Sequence, residues 1–279
     1  ANQDAVLGNP NLDYQKTIQY SFGVKYAMNE NYSVDIQGYF KDEFEKINSS
    51  SVREEGGVRV QRYRNSDYGR SRGFELTLEK RAGGYVNGSL SYTYAFAYGK
   101  ESQTNTRYLE EFYLSREPLS EAPLDNDIRH SLKVDVSILI PSTVKPRLFG
   151  IPIINGWSLS IQSIIESGKP FTPDKSYPNI ASTGGEEIER NSLRYPTTAY
   201  FNVRFQKDFR VAGAQWSFNL WVENVFDNRN VTSIDSKTGR ADTGQTPTSV
   251  GVPSGTPFDL NPTHWDFGRQ VRLGLEMAI

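Results

Sequence analysis

The sequence predicts an all-β protein, an antiparallel transmembrane β-barrel, and three observations predict it. Apolar and polar residues alternate in long runs, several runs reach about 11 to 13 residues, and the connections between runs are alternately short and long. A strand of about 11 residues tilted at 45° rises about 25 Å, the height of a barrel's apolar band. A soluble sandwich alternates as well, but its strands average about 5 to 6 residues.

The elements follow in order. From Thr17, residues Ile18, Tyr20, Phe22, Val24 and Tyr26 alternate with Gln19, Ser21, Gly23 and Lys25, so the strand has two unlike faces. After a turn at Asn29 to Asn31, Tyr32, Val34 and Ile36 alternate with Ser33, Asp35 and Gln37, which completes a hairpin. Phe74, Leu76 and Leu78 oppose Glu75, Thr77 and Glu79. Beyond Gly83-Gly84, Val86, Leu90, Tyr92, Tyr94 and Phe96 oppose Asn87, Ser89, Ser91 and Thr93. Leu132, Val134, Val136 and Ile138 mark one further strand, and Trp157, Leu159, Ile161 and Ile165 its partner. Phe201, Val203 and Phe205 lead through a tight turn at Val211 to Ala214 into Trp216, Phe218, Leu220 and Val222. Val271, Leu273, Leu275, Met277 and Ile279 form the last run.

These runs make about nine strands if Arg59 to Arg81 is one long element with an irregular middle at Asp67 to Gly69. With nine, the connections alternate: short at 28–31, long at 41–58, short at 82–85, long at 98–127, intermediate at 141–155, long at 169–197, short at 211–214 and long at 227–263. Short periplasmic turns and long extracellular loops give this rhythm.

Composition excludes several classes. A formal net charge of -2 shows no basic stripe and so argues against nucleic-acid binding. With no cysteine there is no disulfide scaffold, thiolate metal site or cysteine nucleophile. No run of about 18 apolar residues marks a transmembrane helix. The mean hydropathy of -0.59 does not oppose a barrel, whose strands need only every second residue apolar. The first residues carry no basic and apolar leader, so an exported protein would stand here as a mature or partial chain.

Catalytic and metal constellations are not specified, and no cofactor is expected. Only two histidines are present. His130, near Asp125, Asp127 and Ser131, reads as one member of a His and Arg pair at the start of a strand, and His264 beside Trp265 reads as a rim residue. Asp235 to Gly239 and Asp125 to Asp127 read as solvated turns, without full calcium-loop spacing. The glycines at 83 and 84, and at 184 and 185, open no phosphate-binding helix.

The strand aromatics Tyr20, Tyr26, Tyr92, Tyr94, Phe96, Trp157, Phe201, Trp216 and Trp265 suit an interfacial girdle. Trp221 is placed apart, because its parity joins it to Asn219 and Glu223 on the lumen side, where it could meet a plug or a ligand. Charges assigned to the lumen are Arg72, Glu75, Glu79, Lys133, Asp135, Arg204, Asp208 and Arg272; Trp221, Arg204 and Arg272 are the candidate ligand contacts. Most recognition is expected in the loops 98–127, 169–197 and 227–263.

Four segments resemble the TonB-dependent receptor family. Gly8-Asn9-Pro10-Asn11-Leu12 with Lys16-Thr17 is similar to the signature that opens the C-terminal half of its barrel. Tyr68 to Leu76 resembles its strand with a glycine before a glutamate, Asp127-Ile128-Arg129-His130 its Asp-x-Arg-His strand start, and Glu223-Asn224-Val225-Phe226-Asp227 its Asn-x-Phe-Asn/Asp element. Phe149-Gly150-Ile151-Pro152 before Asn155-Gly156-Trp157 resembles the subgroup with a carboxypeptidase-regulatory-like N-terminal domain. Two departures stand out: Tyr14-Gln15 where the family often has Pro-Glu, and Ile279 in place of a terminal aromatic.

The resemblance implies that residues 1–279 are the C-terminal part of a 22-stranded barrel with a plugged lumen, in the bacterial outer membrane. Nine strands cannot close such a barrel. The plug and remaining strands are therefore expected elsewhere in the receptor or in a partner chain, with a TonB-type energiser acting through the plug. The implied function is active uptake of a siderophore, cobalamin, glycan or peptide. The alternative is a non-transporting barrel subunit of an envelope or adhesion complex.

Overall fold

The computed structural model describes residues 6–53, 59–81, 84–100, 102, 121–145, 147–148, 151–152, 154–173, 189–235, 238–242 and 262–278. Nine long strands form its wall: β1 (Lys16–Ala27), β2 (Tyr32–Arg53), β3 (Arg59–Lys80), β4 (Val86–Gly99), β5 (His130–Ile140), β6 (Trp157–Glu166), β7 (Thr198–Val211), β8 (Ala214–Glu223) and β9 (Gln270–Ala278). Each pairs antiparallel with its neighbour in the chain, so the sheet order is the sequence order, the meander the connection rhythm predicts.

Register assigns the faces. Val24, Ile36 and Leu76 stand in one row, as do Leu78, Leu90 and Val134, and Phe205, Leu220 and Leu273. This apolar face stays uncovered: Phe22 is 80% exposed, Leu273 69% and Leu275 60%. The buried hydrophobic residues described are only Ala97, Ala122, Leu124, Ile140 and Ala241. A sandwich would bury its apolar face against a second sheet, so the uncovered face needs lipid as its solvent.

Two turns show how the short connections form. The Asn29 side chain accepts from the Asn31 and Tyr32 amides at 2.9 and 3.0 Å, and so replaces backbone partners in the first periplasmic turn. Ala212 and Gly213, with φ of 54° and 84°, give the second turn two left-handed residues, whose twist matches the flanking strands.

Three expectations change. Residues 41–53, read as a loop, continue β2, which pairs with β3 as far as Arg53↔Arg59. Above the lipid neither face needs to be apolar, and even the fully buried Asn48 and Ser49 are polar, so the alternation that marks a strand disappears. The irregularity expected at Asp67 to Gly69 lies opposite a bulge in β2: register shifts between Glu43 and Lys46 and again before Ile47, and Glu45 takes φ 56°. Arg72, assigned to the lumen, shares the parity of Phe74 and Leu76 and pairs with Phe40 and Phe96 on the outer face. Its guanidinium lies 5.6 Å from the Phe40 ring centroid, so it is a rim residue.

The glycine before Glu75 has a steric cause. A Cβ on Gly73 would lie 2.8 Å from the Tyr94 carbonyl oxygen and 2.9 Å from the Tyr39 hydroxyl, so Tyr39 occupies the space that a side chain would need.

Candidate functional site

The three lumen candidates fall in one row. Arg204 on β7 pairs with Trp221 on β8, and Trp221 pairs with Arg272 on β9. The Arg204 guanidinium lies 5.1 Å from the Trp221 ring centroid, a cation–π contact, and Arg272 Nη2 lies 3.2 Å from Glu223 Oε1. The row therefore offers an indole flanked by two cations to whatever fills the lumen.

Higher on the same face is a cavity of about 540 Å³, and the ends of all three long extracellular loops meet there. Asp125 and Ile128 come from the first, Lys169, Phe171, Asn191 and Tyr195 from the second, Val231 and Thr232 from the third; Glu166, Thr198 and Tyr200 on strands β6 and β7 complete it. The Phe171 and Tyr195 rings pack edge to face at 5.5 Å. Burial pushes the Tyr195 hydroxyl above its ordinary pKa; the Asp125 carboxylate adds to this and a hydrogen bond with the Ile234 backbone opposes it. Tyr200 donates to Asp266 Oδ2 at 2.7 Å. Aromatic faces beside carboxylates, an amide and an ammonium suit a polar, ring-bearing ligand.

Sequence reasoning did not single out Tyr200, Glu166 or Tyr195. Tyr200 carried the signal that marked Trp221, an aromatic on the polar parity of its strand.

Asp127 anchors the cavity's rim. Its side chain is fully buried, accepts from the Ala97 amide at 2.7 Å and from Arg129 Nε at 2.8 Å, and is paired with Arg194. Arg194 also donates to the Asp127 carbonyl at 2.7 Å and the Gly168 carbonyl at 3.1 Å. Arg129 donates to the Tyr98 hydroxyl at 2.8 Å and stacks 4.3 Å from the Phe96 ring centroid. One carboxylate thus ties β4 to the flanks of two loops, which explains an Asp and Arg two residues apart at a strand start.

His130 points the other way. Its parity is that of Leu132 on the outer face, and its Nδ1 lies 2.8 Å from the Tyr92 hydroxyl, with the Tyr94 ring 4.9 Å away. Ser131 faces the lumen and donates to Glu166 at 3.0 Å. Adjacent residues of a strand point to opposite faces, so His130 and Ser131 cannot act together. His264 Nδ1 meets the Ala241 carbonyl at 3.0 Å in the third loop. Among the described residues no cluster of acidic or histidine side chains could hold a metal.

Asn224 organises the rim between β8 and the third loop. With φ 51° and 3% exposure, it donates to the Asn228 and Phe267 carbonyls at 2.9 and 3.3 Å and accepts from the Asn228 amide at 2.9 Å. An asparagine tolerates the left-handed backbone and supplies both donor and acceptor.

Comparison with known proteins fits this geometry. The family described as TonB dependent receptor-like, beta-barrel, matches residues 1–225. No curated protein sequence matches the chain. Among solved structures, the outer membrane transporter YddB from Escherichia coli is similar at TM-score 0.55 and 11% identity, over 82% of this chain and 31% of that one. The FrpB iron transporter from Neisseria meningitidis (F3-3 variant) is similar at TM-score 0.55 and 13% identity, over 98% of this chain and 32% of that one. The chain therefore spans about a third of the length of these transporters. With an uncovered apolar face, a polar inner face and a family match over most of its length, the chain belongs to the TonB-dependent receptor β-barrel family of the bacterial outer membrane.

Proposed function

We propose that the chain supplies the C-terminal part of the barrel wall, and part of the ligand-binding rim, of a receptor that takes up a nutrient by TonB-dependent transport. The observation that carries this reading is the cavity of about 540 Å³, where three long loops converge above the lumen. A siderophore, cobalamin, glycan or peptide presents the polar groups and rings that such a lining accommodates. On this reading the Arg204, Trp221 and Arg272 row meets the plug or the descending ligand, and the plug and remaining strands complete a 22-stranded barrel. The chain serves transport and performs no catalysis.

The test is growth of a receptor-deleted strain on ferric siderophores, cobalamin, oligosaccharides and peptides as limiting nutrients, with and without an uncoupler. Loss of energised uptake of one class, restored by the receptor but not by its Tyr200→Ala, Lys169→Glu variant, supports the reading. Unchanged uptake of all four classes, with a defect in surface attachment or envelope assembly, would instead identify a non-transporting subunit.

A further inference from the structure

We infer, resting on the reading of the rim cavity as the receptor's ligand site, that it takes a short cationic peptide bearing an aromatic ring, in preference to an anionic chelate or a neutral glycan. Three charges of the lining are unspent. Glu166 accepts from Ser131 at 3.0 Å through Oε1 alone, which leaves Oε2 without a partner among the described residues. Asp125 accepts from the Asn191 side-chain amide at 2.9 Å through Oδ1, and its second oxygen likewise has no partner among the described residues. The Lys169 carbonyl accepts from the Tyr195 amide at 2.8 Å, which fixes the residue at the rim, while its ammonium has no carboxylate partner among the described residues. The nearby guanidiniums do not alter this balance, because Arg129 and Arg194 are both spent on Asp127. Asp266, which accepts from Tyr200, adds a further carboxylate behind the wall.

The lining therefore calls for two cations and one anion. A ligand that fills the cavity displaces the water around these groups, so each charge left unmatched costs free energy and selects against that ligand. A chelate built from oxyanions brings more negative charge to Asp125 and Glu166. A glycan can hydrogen-bond to all three groups but offers no countercharge. A peptide with a free amino terminus, one basic side chain and a free carboxylate supplies both cations and the anion, and charge-assisted hydrogen bonds are about twice as strong as neutral ones. Its ring joins the Phe171 and Tyr195 pair, where a third aromatic can pack by edge or by face. The volume of about 540 Å³ lies within the range of small-ligand sites, about 300 to 1,000 Å³, so it seats a few residues and not a folded protein.

The test is isothermal titration of the complete receptor in detergent micelles with three probes of similar shape: lysyl-phenylalanyl-glycine with free termini, the same peptide acetylated on both amines, and glutamyl-phenylalanyl-glycine. The free lysyl peptide is expected to bind about a hundredfold more tightly than its acetylated form, roughly tenfold for each cation, and more tightly than the glutamyl peptide. Glu166→Gln should weaken the lysyl peptide about tenfold and leave the acetylated one unchanged, with circular dichroism checking that the variant is folded. Equal affinity for free and acetylated peptides, tighter binding of the glutamyl peptide, or an equal loss of both lysyl peptides in Glu166→Gln would each overturn the proposal. If no peptide binds a receptor that still shows energised uptake of another nutrient, the proposal fails and the transport reading stands. If the charge preference is found in a receptor that takes up nothing, the transport reading fails and the ligand chemistry stands.

Discussion

Removing the Asp127 carboxylate should loosen the rim of the cavity without unfolding the wall. The group is wholly buried, while the Arg129 and Arg194 side chains keep 22% and 29% of their exposure. Breaking a buried pair by deleting one partner costs about 3 to 5 kcal/mol. Because both guanidiniums retain a path to water, the lower end applies, about 3 kcal/mol for Asp127→Ala. Asp127→Asn keeps an acceptor for the Ala97 amide and loses the charge, so about half of that is expected. The observable is amide exchange at Ala97 and Leu124, whose N–H groups bond to Asp127 Oδ1 and to the Ala97 carbonyl. A loss of 3 kcal/mol accelerates exchange about a hundredfold, at roughly tenfold per 1.4 kcal/mol, while amides of β7 and β8 stay protected. Added salt should change the wild-type rate little, because a buried pair is poorly screened. Ala97 exchange within threefold of wild type in Asp127→Ala, or identical rates for the alanine and asparagine variants, would refute the electrostatic account.

Other outcomes follow from the same geometry. Leu273→Arg places a cation on the lipid face and should lower folding stability in vesicles by about 2 to 4 kcal/mol, whereas Arg272→Leu, facing the lumen with an exposed partner, should cost under about 1 kcal/mol by urea titration. Gly73→Val should cost about 1 to 3 kcal/mol, because its Cβ meets Tyr94 backbone as well as Tyr39, and Tyr39→Ala should not rescue it in refolding yield. Asn224→Ala should cost about 2 kcal/mol and raise protease cleavage in the third loop, since it loses both the left-handed preference and three hydrogen bonds. Asn224→Asp, which keeps only the acceptor, should fall between the two.

The wall was legible because lipid on one side and water on the other impose a period of two on the chain. Where that asymmetry ends, so does the signal: above the apolar band neither face of Lys41 to Arg53 needs to be apolar, and the fully buried Asn48 and Ser49 there are polar, so their strand had no alternation to show. Arg72 misled for a related reason, since a charge was equated with the lumen although the rim of the outer face also tolerates one. Trp221, Arg204 and Arg272 could each be assigned a face by parity, but their alignment depends on register across β7, β8 and β9, and the long loop before β9 leaves register undetermined by the local sequence. The cavity was the least legible part. Asp125, Tyr195 and Tyr200 meet only after the wall has curved three loops together, and no local pattern records that.

The tall hairpin has a mechanical meaning. β1 grips β2 only as far as Phe44, and β4 grips β3 only from Gly69 onward, so above the bulge the two strands hold chiefly each other, with Val6 and Leu7 laid along Gln61 and Arg62 as a strap. Below it they are planks in a braced wall; above it they are a mast. A two-stranded ribbon twists more than a sheet, so the heading of everything the mast carries is decided at the joint around Glu45. A change of one or two residues at that joint can therefore turn the upper part of the hairpin, leaving every row in the membrane as it was.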